Sequence, residues 1–176
     1  MKAILITLFA LVLSACSSPN IELYKSNKPE FILSEFFNGE LSAHGVLKNR
    51  SGEVIRYFNA RLKGSWVEGK GTLEEWFVFD DGEEHQRVWK LVPNDRGSYD
   101  ATANDVNGTA EAKFAGNALF MKYELQVPYD GDIISVMVDD RMYLVDKNVV
   151  INESVMSKFG VDVGYITLTI VKKSQD

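Results

Sequence analysis

The sequence predicts an all-β protein, an antiparallel up-and-down barrel of about 8–10 strands behind a short N-terminal helix. Turn residues recur at short intervals, at Asn49-Arg-Ser-Gly52, Asp80-Asp-Gly82, Asn94-Asp-Arg-Gly97, Asp105-Val-Asn-Gly108, Ala115-Gly-Asn117, Asp130-Gly-Asp132 and Asp146-Lys-Asn148. Between them lie β-prone runs, and no long crossover separates any two of them. A sheet of so many strands closes on itself or folds into a sandwich, because open edges invite pairing with other chains.

The elements follow in chain order. Lys2 gives a positive start, Ala3 to Leu13 is uncharged and almost wholly apolar, and Ser14 and Ala15 are small. This is the build of a secretory signal peptide over 1–15, too short to remain as a membrane-spanning helix. Its end, Leu13-Ser14-Ala15-Cys16, resembles the lipobox of bacterial lipoproteins. Cys16 is the sole cysteine, and its thiol can be alkylated to the thioether that carries a diacylglyceryl group. The resemblance implies cleavage before Cys16 and acylation of the new amine. Each buried methylene contributes ~0.8 kcal/mol, so several acyl chains hold a protein on a membrane for practical purposes permanently. A buried core cysteine is the competing reading, and it is weak beside so typical a leader. Ser17 stands where an aspartate would favour retention in the inner membrane, so the expected place is the outer membrane, facing the periplasm.

Residues 16–28 are polar, include Pro19 and read as a tether; 29–176 read as one β-barrel domain. Pro29 to Gly39 carries helix punctuation, with an early Pro, apolar Ile32, Leu33, Phe36 and Phe37, and Gly39 as a stop. Strands are expected at 40–48, 54–62, 72–79, 83–92, 98–103, 109–114, 118–127, 133–139, 149–155 and 165–172. Ser154 to Gly160 is expected to interrupt the last two as a loop or helical turn.

The 176 residues carry 25 acidic and 19 basic side chains, a net charge of −6 that becomes one unit more negative once Lys2 leaves with the leader. That disfavours nucleic acid and anionic head groups. Charged residues interrupt the strands on both faces, against a barrel that itself spans a membrane. With the cysteine given to lipid no disulfide is expected, so stability rests on packing, for which ten Phe, seven Tyr and three Trp are available.

One hairpin can be set by register. If Asp80-Asp81-Gly82 is a three-residue loop with Gly82 in the left-handed region, Phe79 faces Glu83, Phe77 faces His85, Glu75 faces Arg87 and Leu73 faces Trp89. Leu73, Phe77, Phe79, Trp89 and Leu91 then share one face, whereas a two-residue loop scatters them. Glu75, Phe77, Phe79, Arg87 and Trp89, with Tyr123, are the candidate ligand pocket. In one reading Arg87 meets the carboxylate or phosphate of an amphipathic ligand lying on the aromatics. In the other, Glu75 and Arg87 are an ion pair that fixes the register of a filled barrel.

The runs Phe36-Phe37-Asn-Gly39, Ala43-His-Gly45, Arg50-Ser-Gly52, Arg56-Tyr-Phe58 and Gly71-Thr-Leu-Glu-Glu75 occur in order along the chain. They continue with Asp81-Gly82, Arg87-Val-Trp89, Ala103-Asn-Asp-Val-Asn-Gly108, Gly116-Asn-Ala118, Asp139-Asp-Arg-Met-Tyr143 and Lys158-Phe-Gly160. Together they resemble a family of small proteobacterial lipoproteins known only as a domain of unknown function. The resemblance implies a lipocalin-like, or calycin-like, barrel and an envelope location; it implies no activity.

Chemistry is sparse. His44 and His85 are the two histidines, too few for a zinc site once the cysteine is lipidated. No nucleophile elbow, phosphate loop or dinucleotide fingerprint is present. Asp80-Asp81 and Asp139-Asp140 read as ordinary bend residues. The sequence therefore predicts no enzyme, no catalytic residues, no metal and no cofactor. It predicts a barrel anchored to a membrane through Cys16 that binds a lipid or other apolar or amphipathic small molecule. The alternative is an accessory lipoprotein acting through an envelope protein, with no ligand.

Overall fold

The computed structural model describes residues 19–173; the leader, Cys16 and residues 174–176 lie outside the described part. Within the segment read as a tether, Ile21–Tyr24 forms one 3-10 turn, capped where Glu22 N donates to the Asn20 side chain at 3.1 Å. The Tyr24 ring then lies on the outer wall of the barrel, 5.6 Å from Phe120 and 5.4 Å from Tyr143.

The expected helix shrinks to a single turn, α1 (Leu33–Phe36), and Gly39 already opens the first strand. A helix this short has no stability of its own, and burial supplies it. Phe31, Leu33, Phe36 and Phe37 are each at most 4 % exposed, and the three Phe rings pack on one another with centroids 5.0–5.9 Å apart.

Eleven strands follow. They are β1 (Gly39–Asn49), β2 (Val54–Val67), β3 (Lys70–Phe79), β4 (Glu84–Pro93), β5 (Tyr99–Ala103) and β6 (Val106–Asn107). Then come β7 (Ala110–Ala115), β8 (Ala118–Tyr129), β9 (Asp132–Asp146), β10 (Val149–Lys158) and β11 (Val161–Lys172). Apart from two-residue β6, an added rung on β8, neighbours in sequence pair, β5 pairs with β7 and β1 with β11, so the antiparallel sheet closes into a ten-stranded barrel. The expected all-β closed barrel is the fold.

Several strands run further than the sequence predicts, β2 to Val67 and β11 from Val161 among them. β9 continues through Asp139-Asp140, so these acids are not bend residues but lie in mid-strand, opposite Val155 and Ser154. β10 continues to Lys158, so the expected interruption at Ser154 to Gly160 reduces to a turn at Phe159-Gly160, both with positive φ. The reason is the same in both places. A strand already paired on two sides satisfies its backbone by continuing, and that outweighs the turn preference of a few polar residues.

The hairpin turns β1–β2, β3–β4, β8–β9 and β10–β11 gather at one end of the barrel. The other end is plugged by the aromatic turn. Phe31 N donates to Gly116 O at 2.7 Å, and Lys172 Nζ donates to Glu35 O. Gly64 on β2 makes the plug possible, because a Cβ there would fall on the Phe37 carbonyl oxygen. Period-two alternation then sends Phe58, Ala60 and Leu62 inward from β2, and Leu119, Met121 and Tyr123 inward from β8.

Candidate functional site

The β3–β4 hairpin has the predicted register: Leu73 faces Trp89, Glu75 faces Arg87 and Phe77 faces His85. Gly82 takes φ +86, and Gly82 N donates to Phe79 O at 3.0 Å, closing the loop as expected. Between this hairpin and β8–β11 the barrel encloses a cavity of about 150 Å³. Its floor is the plug, through Leu33 and Phe37; its walls include Leu62, Leu91, Met121, Leu168 and Ile170; its upper part is polar. His85, whose side chain is 35 % exposed, marks the solvent side.

A buried polar cluster crosses the upper wall. Arg87 Nε donates to both oxygens of Asp105, at 2.9 and 2.8 Å, and Arg87 Nη2 lies 2.8 Å from the same carboxylate. Glu75 stands further off, 3.9 Å from Arg87 Nη1. His85 Nε2 approaches Asp105 Oδ2 at 3.0 Å. Opposite, Asp140 on β9 accepts from Asn152 Nδ2 at 2.5 Å and from the Ser154 hydroxyl at 2.7 Å, both on β10. Tyr123 completes the ring of groups, its aromatic face meeting Trp89 edge-on with centroids 5.3 Å apart. Such pairs add about 0.5–1.5 kcal/mol beyond the area they bury.

Burial sets the electrostatics. It pushes the Glu75 carboxyl up to about 7, against the opposing pull of Arg87, with Asp140 and Asp105 adding to the rise. It also raises Asp140, where hydrogen bonds from Asn152 and Ser154 hold the shift back. The Tyr123 hydroxyl is raised well above the ordinary range, first by burial and then by the nearby acids. For Arg87, burial works against the charge, but Tyr123, Glu75 and Asp105 together overcome it and raise its pKa.

Five of the six predicted pocket residues, Glu75, Phe77, Arg87, Trp89 and Tyr123, line the cavity. Phe79 does not; it sits nearer the hairpin tip, 5.7 Å from the Phe58 ring and 3.9 Å beneath the Arg56 guanidinium. Arg87 is held chiefly by Asp105 and not by the Glu75 that faces it in register. Asp105 and Asp140 escape the sequence reading because each sits in a stretch that resembles a turn; Asn152 and Ser154 lie in the expected strand 149–155, where nothing local marks their polar side chains as inward-facing. A signal for Asp140 exists: it alternates with Val138, Met142 and Leu144, which marks a single face of one strand. Cys16 lies outside the described residues. Among the described residues no helix is long and apolar enough to cross a membrane, and no group of three or more His, Cys, Asp or Glu is arranged to hold a metal ion.

A closed ten-stranded barrel, plugged at one end and hollow beneath a ring of buried polar groups, has a lipocalin-like fold. The chain belongs to the family described as "Protein of unknown function (DUF3833)", whose model matches residues 10–172. No curated protein matches it. Among solved structures it is similar to an S-type phycobiliprotein lyase, CPES from Guillardia theta, at 13 % identity and a TM-score of 0.57 over 90 % of this chain and 100 % of that one. This is a likeness of fold. A redesigned β-barrel, mFAP0, bound to DFHBI is more distant, at 10 % identity and a TM-score of 0.42 over 78 % of this chain and 99 % of that one.

Proposed function

We propose that this protein binds an apolar or amphipathic small molecule inside its barrel, and that it does so from a membrane to which Cys16 tethers it. The observation that supports binding is the cavity itself. A filled barrel of this size would close its centre with side chains, whereas here apolar walls surround space beneath convergent polar groups. A dry apolar cavity of about 150 Å³ in a protein accommodates a molecule the size of benzene, so the volume suits one ring or a short acyl segment. A longer ligand would extend past His85 toward the open end.

The anchoring part of the proposal is supported by the leader and by Leu13-Ser14-Ala15-Cys16. It puts the barrel at the periplasmic face of an outer membrane, in keeping with a role in holding or passing a poorly soluble molecule. No chemical step is proposed. The likeness to a lyase is one of fold, and that enzyme's chemistry is its own.

Exposed apolar side chains favour a second reading, an accessory protein that meets a partner. Phe159 at the β10–β11 turn is 94 % exposed, and Ile133 and Tyr129 flank the β8–β9 turn at 71 % and 66 % at the same end. Filling the cavity separates the two readings. Ala112→Leu and Ala43→Leu each add bulk at a cavity-lining position. The binding reading expects a hydrophobic fluorescent probe to bind the parent and to lose about tenfold or more in affinity in either variant. Unchanged probe binding in both folded variants sinks it in favour of a surface site.

A further inference from the structure

Tyr123 is 7 % exposed and lines the cavity from β8. Of the charged groups around its hydroxyl, Arg87 is the one cation, and Asp140, Glu75 and Asp105 are acids. Glu75 is 9 % exposed and Asp140 5 %; Asp140 uses one oxygen, Oδ1, for both Asn152 and Ser154. The positive charge in the wall is Arg87, and Asp105 already closes on it from the side with bonds of 2.8–2.9 Å. Nearer the open end Arg56 is covered in the same way, by Asp81 at 2.7 Å and Glu83 at 2.9 Å.

We infer that the occupant is a small apolar molecule bearing a protonated nitrogen, seated with that nitrogen among Tyr123, Glu75 and Asp140. This rests on reading the cavity as a binding site and names the class of ligand for it. A carboxylate or phosphate would bring a further negative charge to a wall whose guanidinium is neutralised. In an interior of low dielectric that arrangement is costly. An ammonium group does the reverse, offering three donors to the Tyr123 oxygen and the two carboxylates, which accept when ionised. A metal ion would meet the charge demand equally, but no group of three or more potential ligands among the described residues is arranged to hold one.

The groups facing Glu75 are Arg87, His85 and Trp89 from β4, Asp105 from the β5–β6 connection, Tyr123 from β8 and Asp140 from β9. Without a ligand, burial keeps Glu75 protonated up to about 7. A cation beside it favours the ionised form, so binding in mildly acidic solution expels a proton and strengthens as pH rises through that value.

Benzylamine, benzyl alcohol and benzoate share one apolar body of suitable size and differ in charge. Titrated calorimetrically into the purified protein, benzylamine is expected to bind about tenfold or more tightly than benzoate. Repeating the titration in two buffers of different ionisation enthalpy at about pH 6 should register proton release with benzylamine alone. The double variant Glu75→Gln, Asp140→Asn is expected to abolish the preference for the amine while leaving benzyl alcohol within about threefold of the parent. Should that variant fail to fold, the parent protein with the three probes still decides. Benzoate binding as well as or better than benzylamine overturns the charge assignment and leaves small-molecule binding standing. Binding of none of the three overturns both.

Discussion

Arg87 donates its Nε hydrogen bonds to Asp105 at 2.9 and 2.8 Å, although the residue it faces in the β3–β4 register is Glu75, 3.9 Å from its guanidinium. Strand pairing and charge pairing thus part company in the barrel wall, and the two acids serve different ends. Asp105 compensates a buried cation; Glu75, which accepts from Trp89 and keeps only the longer contact with Arg87, faces the cavity. Removing one partner of a buried ion pair costs about 3–5 kcal/mol because the other charge stays behind uncompensated. Asp105→Ala should therefore lower stability by about that much in urea unfolding, and Glu75→Gln by far less. Equal losses in the two variants would contradict the assignment of Asp105 as the principal partner.

The pH dependence of stability follows from Glu75. Its carboxyl is raised from 4.5 to about 7 by burial, so the folded state binds a proton that the unfolded chain releases first. Its contribution is fully present below the lower value and lost as pH rises through the upper one. The full shift corresponds to roughly 3 kcal/mol, an upper bound. Asp140, also raised, acts in the same direction over a window that opens at 3.8. Glu75→Gln should flatten unfolding free energy measured between pH 5.5 and 8 and stabilise the protein at the alkaline end. A parent whose stability does not fall over that interval would show that Glu75 titrates normally.

At the closed end, the Phe31–Phe37 plug depends on bare backbone at Gly64. A methyl there collides with the Phe37 carbonyl, a backbone atom that cannot rotate aside. Gly64→Ala is expected to cost about 2 kcal/mol or more, near the upper part of the usual range for single substitutions. Thermal unfolding measures it. A variant as stable as the parent would mean that the plug can lift without loss.

Most of the barrel was legible because its signals are local. Gly82 set the β3–β4 loop, period-two alternation placed Leu73, Glu75 and Trp89 on one face, and turn residues marked seven of the breaks between barrel strands, though not those between β2 and β3 or β10 and β11. Half of the polar cluster was not, because its partners are distant in sequence. Arg87 meets Asp105 across 18 residues and Asp140 meets Ser154 across 14, and no local pattern announces a hydrogen bond formed by closing a barrel. Asp139-Asp140 misled for a physical reason as well. Adjacent acids favour exposed bends, and only pairing of β9 on both sides, to β8 and to β10, keeps Asp140 in a strand and under cover.

The proposed anchor has a covalent signature. Mass spectrometry of the N-terminal peptide from membrane-extracted protein should find Cys16 at the N-terminus carrying fatty acyl groups. Cys16→Ser should lose them and change fractionation. An unmodified Cys16, or a parent and variant that fractionate alike without acylation, would remove the membrane from the account.

Native mass spectrometry of the protein purified from the cell that makes it tests small-molecule binding most directly. A population heavier than the polypeptide and its covalent lipid by one small molecule is expected, lost on gentle activation and absent from Ala112→Leu. A mass equal to the covalent protein alone, together with a cavity that no probe enters, would contradict it.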